Sequence, residues 1–130
     1  MNGDDPLFLT RPQVESIHAR SLARFGGTEG VREPGLVESA LASAQNTWWY
    51  AHGDLFAIAA TYAYHFAESQ AFLDGNKRTA IGSALTFLEL NGVTIPPNEE
   101  TLYDAMIAIA EKRMDKAGLA ALFRHLAGSP

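Results

Sequence analysis

Apolar residues recur at intervals of three and four along nearly the whole chain, and no segment of convincing length alternates with a period of two. The first spacing places side chains on one face of an α-helix, whereas the second is typical of a half-buried strand. With 47% hydrophobic residues among 130, the chain can bury one core that needs no metal or disulfide to fold. The pattern therefore predicts an all-α single domain over residues 1–130.

Signals for helix starts and stops divide this pattern into six predicted helices. The second begins at Pro34, and the others follow residues that can cap a helix, namely Thr10, Asp54, Asn76, Asn98 and Asp115. We expect the helices to end near Gly26, Ala44, Ser69, Leu90, Met114 and Leu126. The third helix is apolar most of the way round, which predicts a central position in the bundle.

Residues 46–53 interrupt the helical spacing. They include the aromatic triplet Trp48, Trp49 and Tyr50, which forms neither a helical stripe nor a clean alternation. Such a segment favours a surface excursion. We therefore expect a short extended flap between the second and third helices.

Composition excludes several classes of function. The chain has 10 Lys+Arg against 15 Asp+Glu and a formal net charge of -5, so a surface that neutralises a nucleic-acid backbone is not expected. Cysteine is absent, and with it thiolate chemistry and cysteine-bound zinc. No run approaches the ~20 apolar residues of a membrane span, and no apolar signal segment opens the chain. We expect a cytoplasmic protein that binds neither membrane nor nucleic acid directly.

The turn before the fourth helix carries the chemistry of a phosphate cradle. The first amides of a helix lack partners and lie at the positive end of its dipole, so an anion can dock on the amides of residues 75–78. Gly75 permits close approach of the backbone, and Lys77 and Arg78 add two positive charges. Asp74 can hold a magnesium ion that also binds the phosphates.

The same residues also fit a purely structural interpretation. Asp-Gly-Asn before a helix is a common turn with a cap, and Lys77 and Arg78 could be a solvated first turn. Basic side chains at a helix N-terminus oppose the dipole, however. That electrostatic penalty favours the presence of an anion.

The stretch from Gln70 to Arg78 resembles the signature of the Fic/Doc family. The Fic form reads His-Pro-Phe-x-(Asp/Glu)-Gly-Asn-Gly-Arg, and the Doc form reads His-x-Phe-x-Asp-(Ala/Gly)-Asn-Lys-Arg. The residues that match the Doc form are Phe72, Asp74, Gly75, Asn76, Lys77 and Arg78. Similarity to death-on-curing (Doc) toxins extends over essentially the whole chain, through Ile17-His18, Phe25 to Gly27, Glu33 to Leu41, and Thr79 to Gly92.

The resemblance implies a compact helical bundle with a flap, and the toxin of a toxin-antitoxin pair. Such toxins transfer the γ-phosphate of magnesium-bound ATP to a threonine of elongation factor Tu. Asn76 and the cradle amides would then bind phosphate, and Lys77, where AMP-transferring relatives have glycine, favours phosphate transfer. The flap with Trp48, Trp49 and Tyr50 would dock the target as an added strand. The sequence motif of the inhibitory helix found in some Fic proteins has no match in this chain. The resemblance therefore implies that a separate Phd-like antitoxin inhibits the toxin.

One departure falls on the position of the general base. The family has histidine where this chain has Gln70, and an amide cannot accept a proton at neutral pH. Losing a general base costs about 10²- to 10⁴-fold in rate. His65 is five residues upstream and is expected to face elsewhere, while the remaining histidines, His18, His52 and His125, fit packing or surface positions.

Three hypotheses follow. The first is a Doc-like phosphotransferase that Gln70 impairs, with Gln70 at most orienting a hydroxyl as a glutamine does in small GTPases. The second is a catalytically silent pseudo-toxin that binds antitoxin or nucleotide. The third is an AMP transferase, which Lys77 disfavours. Gln70 is compatible both with a natural substitution and with one introduced to silence a toxic protein.

Overall fold

The computed structural model describes residues 5–128, which form six α-helices. Their bounds are α1 Arg11–Phe25, α2 Pro34–Trp49, α3 Leu55–Glu68, α4 Asn76–Leu90, α5 Glu99–Ala110 and α6 Lys116–Leu126. Within residues 5–128, the only extended pairing is an isolated antiparallel bridge between Val31 and Phe72. The prediction of an all-α fold with six helices is confirmed.

Side-chain caps explain where three of the helices begin. Thr10 and Gln13 form the expected capping box at the start of α1. The carboxylate of Asp54 accepts a 2.8 Å hydrogen bond from the first turn of α3, and that of Asp115 accepts one of 2.7 Å at the start of α6. Each satisfies a backbone N–H that the helix itself cannot pair.

The extended flap expected at residues 46–53 is wrong, because α2 continues through Trp49. Ala44 and Trp48 are four residues apart, so Trp48 lies on the buried face and packs against the core. The backbone N–H of Tyr50 still bonds to the carbonyl of Asn46, at 2.9 Å. The loop between α2 and α3 therefore begins only at Tyr50.

Two other helix boundaries differ from expectation, and one expected cap residue makes no capping bond. Helix α5 ends at Ala110 rather than near Met114, because Lys112 adopts a left-handed φ of 61°. Gly75, and not Asn76, occupies the N-cap of α4. Asn98 is at the N-cap of α5 without a capping bond, since its side chain donates to the carbonyl of Pro96 at 3.0 Å.

Helix α3 is the centre of the bundle, as its apolar sequence predicts, and packs against α2, α4, α5 and α6. Tyr62 is fully buried there, and its hydroxyl accepts a 3.0 Å hydrogen bond from the backbone N–H of Leu9. Burial raises the pKa of the Tyr62 hydroxyl to about 12. No helix in the described part of the chain is long and apolar enough to cross a membrane.

The crossing of α1 and α4 brings α1 beneath the predicted phosphate cradle. At Gly82 a Cβ atom would lie 2.6 Å from Cγ2 of Ile17, so a glycine is needed for the two helices to approach this closely. Two further α1 residues, His18 and Leu22, lie next to Gly75, where a Cβ would meet Leu22 at 3.3 Å and His18 at 3.6 Å. The first turn of α4 is thus built on a floor of α1 side chains.

Candidate functional site

The turn that ends at Gly75 opens α4 with unpaired amides. Gly75 has a left-handed φ of 78°, which a glycine adopts without strain. Its carbonyl accepts the first helical bond, from the N–H of Thr79 at 2.9 Å. Among the described residues, no acceptor bonds to the N–H groups of residues 76, 77 and 78. These amides are thus free to donate, and their binding of an anion stays a prediction.

Asn76 holds the turn with both ends of its side-chain amide. Its Oδ1 accepts a 3.1 Å hydrogen bond from the N–H of Phe72, and its Nδ2 donates to the carbonyl of Phe72 at 3.0 Å. These two bonds use Oδ1 and one N–H of Nδ2, which leaves the second N–H of Nδ2 as a donor. Asn76 can contribute its backbone N–H to the predicted cradle, while its side chain fixes the turn.

Asp74 presents an exposed carboxylate at the edge of the cradle. Its Oδ1 accepts the N–H of Gly75 at 2.8 Å, and its Oδ2 accepts the N–H of Thr28 at 3.2 Å. Each oxygen keeps a further lone-pair direction. Residues 5–128 contain no group of three His, Cys, Asp or Glu side chains that could hold a metal. One carboxylate nevertheless fits Mg²⁺ when phosphate oxygens and waters supply the other ligands.

The two cations of the motif are in different environments. Lys77 and Arg78 are both half-buried, and neither forms an ion pair with another described residue. The guanidinium carbon of Arg78 lies 3.7 Å from the ring centroid of Phe25 and 4.5 Å from that of Tyr103. Stacking fixes the guanidinium plane and leaves its N–H edges to donate.

Gln70 is exposed and its side-chain oxygen accepts a hydrogen bond from the guanidinium of Arg32. This contact joins two residues that are 38 positions apart. No local signal in the sequence singles out Arg32 or pairs it with Gln70. The amide group at the base position is thus held by a cation.

The segment that lies along the motif is the loop of residues 26–33, between α1 and α2. The N–H groups of Arg32 and Glu33 both bond to the carbonyl of Ala71, at 2.8 and 2.9 Å, and the N–H of Leu73 bonds to the carbonyl of Gly30 at 3.1 Å. A Cβ on Gly27 would lie 2.9 Å from Oδ2 of Asp74. Gly27 and Gly30 have no side chain to prevent so close an approach.

The aromatic triplet is associated with another part of the molecule. Trp48 is half-buried, and its indole N–H donates to Asp5 at 3.3 Å. Trp49 and Tyr50 are exposed by 51% and 80%. No hydrogen bond joins the triplet to residues 70–78 within the described chain. Its role in docking a target remains a prediction.

Among the histidines, His18 is the one in contact with the motif. It is buried as the packing interpretation expects, and its ring stacks on that of Phe72 with 3.9 Å between centroids. Its Nε2 lies 2.8 Å from the carbonyl oxygen of Asp74. His65 lies in α3, where burial is the main cause of a lowered pKa of its imidazole. His52 and His125 are exposed.

Comparison with known proteins decides the family. The sequence model of the Fic/DOC family matches residues 8–88. The protein kinase doc of Escherichia phage P1 is 36% identical over 122 residues, which cover 93% of this chain and 96% of that protein. This chain belongs to the Fic/Doc family, in its Doc branch. The Toxin Doc of Mycolicibacterium smegmatis is also 36% identical, over 88% of both chains.

Proposed function

We propose that this Doc-family chain is a toxin-type protein that binds magnesium-bound ATP at the start of α4, with phosphate transfer impaired by Gln70. The observation that carries the proposal is the coincidence of three features at one turn. These are the unpaired amides of residues 76–78, the exposed carboxylate of Asp74 and the unpaired cation of Lys77. In a chain of net charge -5, such a local concentration of donors and cations is matched to an anionic ligand.

Asp74 is the residue that would hold Mg²⁺, which would supply charge neutralisation on the phosphates. The chain's own groups would do the remaining work. The amides of residues 76–78 orient the phosphates, and Lys77 and Arg78 offset their charge. Positioning and charge stabilisation of this kind are what phosphoryl transfer mostly relies on, and they also favour binding of the nucleotide.

Gln70 leaves the transfer step without a proton acceptor. A neutral amide does not take up a proton at pH 7, and its oxygen already accepts a hydrogen bond from Arg32. The N–H groups of Gln70 can only donate. We therefore infer that nucleotide binding persists in this chain while the rate of transfer is low.

For the target we propose a threonine of a translation factor such as elongation factor Tu, which places the protein in the cytoplasm. One relative is named a protein kinase, which agrees with transfer of phosphate. The loop of residues 26–33 pairs with residues 71–73 along one edge. We propose that a target segment aligns beside this loop. The backbone at Trp48 and Trp49 is helical, so this segment does not present an extended strand for pairing.

For the partner we propose a Phd-like antitoxin that places an amphipathic, acidic segment on the groove between α1, α4 and residues 95–102. The groove encloses about 490 Å³. Its walls include Ile17 and Leu85, and its cations include Arg20 and Arg78, which form no ion pair within residues 5–128. Apolar walls beside unpaired cations suit a helix with one acidic edge. An occupant there would touch Arg78 of the motif.

A catalytically silent pseudo-toxin is the second candidate function. The contact between Arg32 and Gln70 favours it, because it gives the glutamine a defined partner. AMP transfer is the less favoured chemistry, because the long cationic side chain of Lys77 stands at the position where AMP-transferring relatives have glycine.

Removing the charge of Lys77 tests the proposed binding site. The Lys77→Ala variant is expected to bind magnesium-bound ATP about tenfold more weakly, because a charge-assisted contact with phosphate is lost. Calorimetric titration measures the affinity. Lys116→Ala removes an exposed lysine from α6 and is expected to leave the affinity unchanged. Equal affinities of Lys77→Ala and the parent would contradict the proposed site.

A further inference from the structure

We propose that His18 is a positioning residue for the nucleotide site, which orients the peptide between Asp74 and Gly75 through its Nε2–H. The expected effect of His18 on nucleotide binding rests on the proposed function, whereas the geometry of its hydrogen bond does not depend on any ligand. His18 belongs to α1 and lies 56 positions before Asp74. It is 6% exposed, so it does not reach substrate and acts through the turn above it.

The partner atom fixes the tautomer of His18. A backbone carbonyl oxygen can only accept a hydrogen bond. Because Nε2 of His18 lies 2.8 Å from the carbonyl oxygen of Asp74, Nε2 carries the proton. The stacking of the imidazole on Phe72, with 13° between the ring planes, holds the ring so that this N–H is directed at the turn.

The peptide between Asp74 and Gly75 is thereby held at both ends. In a planar trans peptide the C=O and N–H groups point in opposite directions. The carbonyl is bonded to His18 at 2.8 Å, while the Gly75 N–H is bonded to Oδ1 of Asp74 at 2.8 Å. The imidazole thus fixes a peptide plane that in turn orients the Asp74 carboxylate proposed to hold Mg²⁺.

Gly75 makes this restraint necessary. A glycine with a φ of 78° has no side chain to oppose rotation of the preceding peptide plane. The left-handed φ and a Cβ contact of 3.3 Å with Leu22 both disfavour a larger residue at position 75. The Nε2–H of His18 supplies the restraint from below.

Two substitutions separate the hydrogen bond from the packing. His18→Phe keeps a flat ring that can stack on Phe72 but removes the donor. His18→Gln keeps an N–H donor at the same number of bonds from the backbone but removes the ring. His125→Phe changes an exposed histidine in α6 and is the control. A residue with only a packing role would tolerate the phenylalanine better than the glutamine.

Hydrogen exchange of the Gly75 amide, measured without ligand, is the first readout. We expect exchange about three- to tenfold faster in His18→Phe and near the parent rate in His18→Gln. Calorimetry is the second readout, with affinity for magnesium-bound ATP about three- to tenfold lower in His18→Phe. Nitrogen NMR of the unsubstituted protein is the third, and we expect the Nε2–H tautomer.

Several results would overturn the inference. These are an Nδ1–H tautomer of His18, unchanged exchange at Gly75 in His18→Phe, or equal losses in His18→Phe and His18→Gln. The tautomer is measured on the parent protein, so it decides even if a variant does not fold. Absence of ATP binding by the parent would overturn the proposed function, and the exchange and tautomer results would still decide the positioning role.

Discussion

Replacing Gln70 with histidine is expected to raise the rate of ATP-dependent phosphate transfer by about 10²- to 10⁴-fold, the usual contribution of a general base. The physical reason is that an imidazole accepts a proton near neutral pH and an amide does not. The measurement is transfer of labelled γ-phosphate from ATP to proteins of a bacterial extract by Gln70→His and by the parent.

Gln70→Asn is the matched control, because it keeps an amide at the same position and is expected to match the parent. Equal labelling by Gln70→His and Gln70→Asn, both folded, would contradict the proposed phosphotransferase and favour the pseudo-toxin. Mass spectrometry of the modified protein separates the chemistries, since a gain of AMP in place of phosphate would contradict the role assigned to Lys77.

Truncating Phe72 to alanine is expected to lower the free energy of unfolding by about 3–5 kcal/mol, as large-to-small changes in a packed core do. Phe72 is 1% exposed, stacks on His18 at 3.9 Å and lies 6.1 Å from the ring of Phe66. Its backbone is also held by Asn76. Urea unfolding followed by circular dichroism measures the loss.

Leu73→Ala is the control for this prediction. Leu73 is the next residue, but it is 56% exposed, so its truncation should cost about 0.5 kcal/mol or less. Equal losses for the two variants would show that the motif phenylalanine is not the anchor of the turn.

Helical spacing and capping residues were enough to predict six helices and the central position of α3. The prediction was wrong at residues 46–49, because the local pattern of the aromatic triplet does not show that Trp48 continues the buried face begun by Ala44. It was also wrong at the end of α5, where a left-handed Lys112 ends the helix with a residue that does not favour that conformation.

The unpaired amides at the start of α4 could be predicted because they depend on a turn and a helix start that are local in sequence. The partners of the motif could not, since Arg32 and His18 reach it from 38 and 56 residues away. Only tertiary packing brings them together. The same holds for Arg78, whose stacking on Phe25 and Tyr103 depends on the approach of α1 and α5.

The affinity for magnesium-bound ATP, measured by calorimetry in the parent and in Gln70→His, tests the proposed binding site most directly. We expect saturable binding to one site in both proteins, with affinities that agree within about threefold, because position 70 serves transfer and the turn at residues 74–78 serves binding. Absence of saturable binding in both proteins would contradict the central claim.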